Sequence, residues 1–132
     1  GPFGKFLDIN PDNFKNIIMI STGSGMAPFR SYVLSKKIKN FKLIHGVRHK
    51  EDIIKDDDFV EGTVQYCVSQ DDKHNYFNGR VTDFLPTQKD DFFDKDNVYF
   101  VCGNKNMIND VYDFLIDDKK ISSDNIIIEA FF

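Results

Sequence analysis

The chain has 132 residues, which is enough for one domain with a single hydrophobic core. Its 21 acidic and 17 basic residues give a net charge of −4, so it lacks the excess of positive charge that sequence-independent nucleic-acid binding needs. The longest uninterrupted aliphatic run, residues 17–20, is far too short to cross a bilayer, and no signal peptide is visible. We therefore expect a cytoplasmic protein with no membrane span and no nucleic-acid partner.

The first six residues, Gly1-Pro2-Phe3-Gly4-Lys5-Phe6, have the composition of a connecting turn and lack an initiator Met. Two interpretations are open. The segment is either a tag remnant, for which Gly1-Pro2 would suffice, or the start of a piece cut from a longer protein.

An apolar strand that runs into a glycine-bracketed turn is the most informative feature of the chain. Residues 17–21 lead into Thr22-Gly23-Ser24-Gly25, and Pro28 then opens a helix. Such a turn lets the backbone approach a phosphate closely, while the helix N-terminus supplies N–H groups and a positive dipole end. Taken alone, the pattern predicts either a phosphate cradle or a tight strand-to-helix turn.

Five short apolar runs rich in β-branched and aromatic residues predict five strands. They cover residues 17–21, 41–46, 64–69, 98–102 and 126–130. Their hydrophobicity is nearly continuous rather than alternating, which is typical of strands buried on both faces of a parallel sheet.

Helical patterns separate these strands. Apolar residues at helical spacing predict helices over residues 28–40 and 107–115, and shorter helices over residues 51–59 and 81–85. Residues 71–79 are predicted to form a polar loop. The alternation of strands and helices predicts an α/β domain with a doubly wound five-stranded parallel sheet, in strand order 3-2-1-4-5, with helices on both faces.

In such a fold, ligands bind beyond the carboxyl ends of the strands, at the point where the winding direction reverses. The first and fourth strands are neighbours at that point. The first ends in Thr22-Gly23-Ser24-Gly25 and the fourth in Cys102-Gly103-Asn104. We therefore expect both glycine-bearing turns to line one crevice.

Several well-known phosphate and nucleophile motifs are incomplete in this chain. Pro28 stands at the third glycine position of GxGxxG, and no Lys follows the turn as a P-loop requires. Thr22 stands where a nucleophile elbow needs glycine, so Ser24 is interpreted as a hydrogen-bond donor rather than a nucleophile.

The histidines and cysteines predict neither a metal centre nor a disulfide framework. His45, His49 and His74 lack the arrangement of metal ligands, and we interpret them as ordinary surface or strand residues. Cys67 and Cys102 lie in predicted buried strands without CxxC spacing. Free thiols are favoured over a disulfide, which two cysteines alone do not exclude.

Six segments, taken in order, resemble the nicotinamide-nucleotide lobe of the ferredoxin–NADP reductase family, and in particular its bacterial ferredoxin/flavodoxin branch. Each match is weak alone, but the six span nearly the whole chain in the right order and spacing. The segments are Gly1-Pro2-Phe3-Gly4-Lys5-Phe6, Ser21-Thr22-Gly23-Ser24-Gly25-Met26-Ala27-Pro28-Phe29, His45-Gly46-Val47-Arg48, Gly79-Arg80-Val81-Thr82-Asp83-Phe84-Leu85, Cys102-Gly103-Asn104 with Met107, and Glu129-Ala130-Phe131-Phe132.

The resemblance implies a role for the two glycine turns. The first turn would hold the pyrophosphate and guide the nicotinamide toward the flavin, through Thr22, Gly23, Ser24, Gly25, Met26, Ala27 and Pro28. The second turn would border the nicotinamide ribose and ring, through Gly103, Asn104 and Met107, with Cys102 beside the path of hydride transfer.

The resemblance also implies roles for the end of the chain. Phe131, with Phe132 a close second, matches the aromatic residue that stacks on the isoalloxazine in relatives and yields to nicotinamide during turnover. The alternative is that both rings only finish the packing of the last strand. Glu129 would shuttle protons or orient the ring, although a surface carboxylate at a strand end is nearly as well supported.

The adenosine end of the implied site departs from the family pattern. Ser69 stands where relatives contact the adenosine 2′-phosphate, but the next residue, usually Arg in NADPH-selective bacterial members, is Gln70. A neutral amide cannot make the bidentate charge-assisted contact that a guanidinium makes with phosphate. Arg48, Lys73 or Arg80 would have to compensate. We expect NADP to be preferred only slightly over NAD.

In this family, a separate N-terminal β-barrel holds FAD through an R-x-Y-[ST] motif, which does not occur in this chain. Residues 1–6 resemble the last turn of that barrel. We therefore expect residues 1–10 to be the end of the barrel or a linker, and residues 11–132 to be the NAD(P)-binding domain. Its partner would be the FAD-binding domain of the same parent protein, and the piece alone would bind nucleotide weakly and catalyse nothing appreciable.

Three functions follow from this comparison. The first is the nucleotide-binding domain of an oxidoreductase that passes hydride from NAD(P)H to FAD and electrons on to ferredoxin, flavodoxin or another acceptor. The second is an NADH-dependent reductase component of an oxygenase. The third is a nucleotide-binding module without enzymatic activity.

Overall fold

A computed structural model describes residues 9–23, 38, 41–53 and 64–130. These residues contain six strands: β1 Ile17–Thr22, β2 Phe41–Val47, β3 Val64–Val68, β4 Phe77–Asn78, β5 Val98–Gly103 and β6 Ile126–Ala130. They also contain two α-helices, α1 Val81–Phe84 and α2 Lys105–Asp113, and α2 continues into a π-helical turn, Phe114–Asp118. Single 3₁₀ turns lie at Pro11–Asn13, Lys50–Asp52, Leu85–Thr87, Asp90–Phe93 and Ser123–Asn125.

The six strands form one parallel sheet in the order β4-β3-β2-β1-β5-β6. Ile17 of β1 is in register with Phe41 of β2 on one side and with Val98 of β5 on the other. The parallel α/β architecture and the order of the five predicted strands are confirmed. The number of strands is six, so the prediction of a five-stranded sheet is wrong on that count.

The additional strand, β4, lies within residues 71–79, which were predicted to form a polar loop. Phe77 pairs with Cys67 at the edge of the sheet, and its ring lies edge-to-face against Phe84, with 5.2 Å between the ring centroids. A strand of two residues shows no hydrophobic periodicity, so the sequence pattern could not distinguish it from a loop.

The central strands β1 and β5 are buried on both faces, as the continuous apolar runs predicted. One face carries Ile18 and Ile20 together with the buried side chains of α1 and α2. The opposite face carries Ile17, Met19 and Phe100, and Ile38 packs there. Strands that are apolar on both faces therefore sit at the centre of the sheet and fix the positions of their carboxyl ends.

Helix α2 begins and packs as its sequence indicates. The Asn104 side chain caps the helix, because its Oδ1 accepts a hydrogen bond of 2.9 Å from the backbone N–H of Met107. Met107, Ile108 and Val111 then form the buried face. The predicted helix over residues 107–115 is confirmed, although its last turn is π-helical.

Two other predicted helices fall largely outside the described residues. Of residues 28–40, the structure describes only Ile38, and of residues 51–59 it describes the first three, where Lys50–Asp52 is a 3₁₀ turn. Both described α-helices pack on one face of the sheet, so the prediction of helices on both faces stays a prediction. Within the described ranges, neither α-helix has the length and apolar character that a membrane span requires.

Candidate functional site

A cleft of about 1150 Å³ opens at the carboxyl ends of the parallel strands. It lies over β1, β2, β3 and β5, around the point where the chain reverses its winding direction between β1 and β5. Its described lining consists of Thr22, Gly23, Gly46, Val47, Arg48, Glu51, Asp52, Ser69, Gln70, Arg80, Val81, Thr82, Asn104, Lys105, Asn106, Met107 and Asp110. Open parallel sheets bind ligands at this position.

The side chain of Thr22 fits between two glycines of the neighbouring strands. A Cβ atom at Gly103 of β5 would lie 2.5 Å from Thr22 Oγ1, and one at Gly46 of β2 would lie 3.1 Å from Thr22 Cγ2. Because neither glycine has a side chain, Thr22 can occupy the end of β1 with both strands close on either side. Thr22 and Gly46 line the floor of the cleft, and the buried Gly103 leaves room beside them for the Thr22 hydroxyl.

Gly23 follows Thr22 at the exit of β1 and has a φ of +60°, in the left-handed region that favours glycine. It is exposed, and no described atom lies within 4 Å of the position that a Cβ would take. The backbone of Gly23 is therefore exposed at the end of β1. Ser24, Gly25, Met26, Ala27 and Pro28, the rest of the predicted cradle, lie outside the described residues.

The predicted adenosine-end residues are brought together on the other side of the cleft. The backbone N–H of Ser69 donates to the Val47 carbonyl at 3.0 Å, and that of Gln70 donates to the Arg48 carbonyl at 2.8 Å. These bonds hold the ends of β2 and β3 side by side. Arg80 reaches the same cleft from the residue before α1. Lys73, considered as a compensating cation, does not line it.

The charges on the described lining are balanced between cations and carboxylates: Arg48, Arg80 and Lys105 against Glu51, Asp52 and Asp110. The Asp52 carboxylate accepts a hydrogen bond of 3.2 Å from the His49 backbone N–H. Among the described residues, the one ion pair is Lys15 with Asp94, at 2.9 Å, near the amino ends of β1 and β5. Both arginines of the cleft are exposed and form no ion pair with a described residue. They are available to an anionic ligand.

The second glycine turn is placed as predicted, but its residues differ in access. Asn104 and Met107 line the cleft, whereas Gly103 and Cys102 are buried in β5. Cys102 is in register with Glu129 of β6, so the two residues that the resemblance marks as catalytic are neighbours on adjacent strands. Phe131 and Phe132, which follow β6, lie outside the described residues.

Burial, with a smaller contribution from the nearby Glu129 carboxylate, raises the pKa of the Cys102 thiol to about 12. The pKa of Cys67 is raised to about 12 as well, mainly by burial. Both cysteines are free. Because the thiolate is the reactive form, neither residue is suited to nucleophilic chemistry at neutral pH. A role for Cys102 beside a hydride path would therefore be steric.

A buried polar pair that the sequence did not indicate lies beneath the glycine turn. His45 of β2 is in register with Ser21 of β1, and the distance from Ser21 Oγ to His45 Nδ1 is 2.6 Å. Burial lowers the pKa of His45 from 6.5 to about 4, and a hydrogen bond to the Gly23 backbone opposes this shift. His45 is thus a buried, neutral strand residue. The sequence feature that could have indicated this pair is one polar residue near the carboxyl end of each of two otherwise apolar strands.

No arrangement of three or more His, Cys, Asp or Glu side chains within the described ranges could hold a metal ion. The described cleft instead offers an accessible glycine backbone at the end of β1, a capped helix after β5, Arg48 and Ser69 after β2 and β3, and Arg80 before α1. A family model described as the oxidoreductase NAD-binding domain matches residues 19–113. The chain belongs to this family.

The NAD-binding domain is similar to parts of several reductases. It is 28% identical over 138 residues to the flavodoxin/ferredoxin–NADP reductase of Buchnera aphidicola subsp. Schizaphis graminum, which covers 89% of the chain and 52% of that protein. It is 31% identical over 139 residues to the root isozyme 1 of chloroplastic ferredoxin–NADP reductase from Arabidopsis thaliana, covering 87% of the chain and 36% of that protein. The chain thus spans about a third to a half of these two relatives.

Solved structures show the same fold. Ferredoxin-NADP+ reductase from Plasmodium falciparum matches 91% of the NAD-binding domain and 54% of its own chain, with a TM-score of 0.60 at 20% identity. A mutant of that reductase with 2'P-AMP matches 91% of the domain and 53% of its own chain, with a TM-score of 0.62 at 20% identity. The family predicted from the six sequence segments is confirmed.

Proposed function

We propose that this chain is the nicotinamide-nucleotide-binding domain of an FAD-dependent oxidoreductase. The parent protein would pass hydride from NAD(P)H to FAD and electrons on to ferredoxin or flavodoxin. The observation that supports this most is the cleft at the switch point between β1 and β5, in a chain of the NAD-binding family. The named activities of its relatives, all ferredoxin or flavodoxin reductases, support the identity of the acceptor.

The described residues fit a dinucleotide. The backbone of Gly23 is exposed at the end of β1, where no side chain of the described residues would obstruct the approach of a pyrophosphate. Arg48 and Arg80 carry the positive charge that phosphates require, and Ser69 adds a hydroxyl to the same lining. The volume of the cleft, about 1150 Å³, slightly exceeds the range of about 300–1,000 Å³ usual for small-molecule pockets.

We propose a modest preference for NADP over NAD. A 2′-phosphate at the adenosine end would lie near Ser69 and the guanidinium groups of Arg48 and Arg80, which no described carboxylate neutralises. Gln70 contributes no charge, and Glu51 and Asp52 on the same lining repel a phosphate. These opposing charges reduce the preference without reversing it.

The identity of Gln70 also supports a second candidate. A reductase component that feeds an oxygenase from NADH would need no cation beside Ser69, and a neutral amide can hydrogen-bond a ribose 2′-hydroxyl. Tight binding of NAD+ together with weak binding of NADP+ would favour this candidate over the first.

Calorimetric titration of the chain with NADP+, NAD+ and 2′-phospho-AMP tests the proposal. We expect both dinucleotides to bind, NADP+ the more tightly, and 2′-phospho-AMP to compete with NADP+. Equal affinity for the two dinucleotides would contradict the NADP preference. No binding of either would contradict the nucleotide site itself.

The proposed roles of Cys102 and Glu129 need the parent reductase for their test. Because the buried Cys102 thiol can act only by its shape, Cys102→Ala should slow hydride transfer more than it weakens nucleotide binding. Glu129→Gln keeps the shape of the side chain and removes its charge, and it should slow transfer if the carboxylate handles a proton. Unchanged transfer rates in stopped-flow measurements would remove each residue from the catalytic set.

A further inference from the structure

Three polar side chains are buried within the described part of the chain: Ser21, His45 and Asn97. Burying a polar group is unfavourable unless it is hydrogen-bonded. Asn97 belongs to a network at the amino end of β5, where it donates to the Phe92 carbonyl at 3.2 Å and lies 3.4 Å from the Tyr99 hydroxyl. Ser21 and His45 form a separate pair at the opposite, carboxyl end of the sheet. The Asn97 network and the Ser21–His45 pair therefore lie at opposite ends of the sheet.

The Ser21–His45 pair lies at the carboxyl end of β1, next to Thr22 and Gly23, which line the cleft. Ser21 is the residue before Thr22, and Gly23 begins the turn in the left-handed conformation. His45 contacts the Ser21 hydroxyl through Nδ1 at 2.6 Å and also hydrogen-bonds the Gly23 backbone. A single ring from β2 thus connects the last part of β1 to the first residue of the turn.

A neutral imidazole suits this place chemically. It carries one N–H donor and one unprotonated acceptor nitrogen, so it can form hydrogen bonds with the Gly23 backbone and the Ser21 hydroxyl at the same time. An apolar side chain of similar size would fill the space but would leave the Ser21 hydroxyl and the Gly23 backbone without these partners. The imidazole also packs against the ring of Tyr66 in β3 in a T-shaped arrangement, with 6.2 Å between the ring centroids.

We infer that His45 is a positioning residue, which acts with Ser21 to hold the Gly23 backbone, at the exit of β1, in the conformation that receives the pyrophosphate of the dinucleotide. This inference rests on the proposed nucleotide-binding function. His45 does not line the cleft, so it acts through the turn rather than by touching the nucleotide. The adenosine end, at Ser69 and Arg80, is held by other bonds and should not depend on it.

The test compares a dinucleotide with a fragment that lacks the pyrophosphate. NADP+ and adenosine 2′-monophosphate are titrated calorimetrically into the full chain and into the variants His45→Leu and Ser21→Ala. The matched control is Asn97→Ala, which breaks the other buried polar network. Thermal unfolding of every variant is recorded, and binding is measured at a temperature where all are folded.

We expect His45→Leu and Ser21→Ala to weaken NADP+ binding about tenfold while adenosine 2′-monophosphate binding stays within about twofold. Asn97→Ala should lower the unfolding temperature without changing the affinity for NADP+ relative to that for adenosine 2′-monophosphate. Equal loss for both ligands, or no loss for either, would overturn the positioning role. If the unmodified chain binds neither ligand, the proposed function itself fails, which is a different result. If His45→Leu does not fold, the milder Ser21→Ala still decides the question.

Discussion

The hydroxyl of Thr22 lies against Gly103 in the neighbouring strand, in space that any side chain at position 103 would occupy. A Cβ built on Gly103 would be 2.5 Å from Thr22 Oγ1 and would overlap the end of the Met107 side chain. All three residues lie at the carboxyl end of the sheet, where the cleft opens. The shape of the cleft floor therefore depends on this glycine.

Replacing Gly103 with alanine should disturb binding more than stability. The end of Met107 can move at little cost, but the Thr22 hydroxyl must rotate away from its present position. We expect Gly103→Ala to weaken NADP+ binding about tenfold in calorimetry.

The matched variant is Gly46→Ala, on the other side of Thr22. There the new Cβ would lie 3.1 Å from Thr22 Cγ2 and from Val81 Cγ1, so it presses on methyl groups and leaves the hydroxyl in place. We expect a smaller loss of affinity and a larger loss of stability. The reverse order of the two variants in affinity would contradict this account of the cleft floor.

The Ser21–His45 hydrogen bond should couple the two residues in stability. Each single variant, Ser21→Ala or His45→Leu, leaves a buried polar atom without its partner and should lower the free energy of unfolding by about 1–3 kcal/mol. The double variant removes both polar groups, so its loss should be smaller than the sum of the two single losses. Urea unfolding of the four proteins measures this, and strictly additive losses would argue against the bond.

The buried imidazole of His45 should make the stability depend on pH in a defined direction. Its pKa is about 4 in the folded chain and 6.5 in the unfolded chain, so between these values only the unfolded chain binds the proton. Stability contributed by the neutral ring is complete above the unfolded pKa and is lost as pH falls toward the folded pKa. The slope reaches at most about 1.4 kcal/mol per pH unit.

Comparison with His45→Leu isolates this contribution from the carboxylates. Asp71 and Asp94 have lowered pKa values, chiefly through hydrogen bonds from the backbone of Lys73 and Asp96, and they add their own loss at acid pH in both proteins. The unfolding free energy of the native chain minus that of His45→Leu should therefore increase as pH rises from the folded to the unfolded pKa of His45. A constant difference across that range would show that His45 does not titrate as its burial requires.

The two cleft arginines should distinguish the dinucleotides. Arg48→Met and Arg80→Met each remove a positive charge from the lining of the cleft, at the proposed adenosine end. We expect each variant to weaken NADP+ binding about tenfold and to change NAD+ affinity by no more than about twofold, because only NADP+ carries the 2′-phosphate. The control is Lys95→Met, which removes an exposed charge before β5 at the other end of the sheet. Parallel losses for both dinucleotides would place the arginines away from the 2′-phosphate.

Replacing Gln70 with arginine tests the same site in the opposite direction. A guanidinium beside Ser69 can form the bidentate contact with phosphate that the amide cannot. Gln70→Arg should therefore raise the ratio of NADP+ to NAD+ affinity in the same titrations. An unchanged ratio would show that position 70 does not face the 2′-phosphate.

The sequence predicted the sheet well because burial on both faces leaves a strong local signal. The runs at residues 17–20 and 98–102 are nearly continuously hydrophobic, and each predicted strand, 17–21 and 98–102, is one residue shorter at its carboxyl end than the observed strand. Met107 and Val111 likewise marked the buried face of α2 through their spacing. Where local pattern and tertiary burial agree, as in these elements, the prediction from sequence was correct.

Features that depend on register were not predictable. The contact between Ser21 and His45 joins residues 24 positions apart, and only the pairing of β1 with β2 shows that they face each other. The position of the Thr22 side chain between Gly46 and Gly103 can be predicted only when the register of β1 with β2 and β5 is known. Strand β4 was not predicted because a strand of two residues is too short to show hydrophobic periodicity. These are tertiary properties, which the local pattern does not contain.

The central claim, that the cleft at the strand ends binds a nicotinamide dinucleotide, is tested most directly by NMR titration of the isotope-labelled chain with NADP+ and NAD+. The account predicts saturable shifts of backbone amide signals that are largest at Gly23, Ser69 and Asn104, which line separate parts of the cleft. Absence of saturable shifts with both dinucleotides, or shifts confined to residues at the amino ends of the strands, would contradict it.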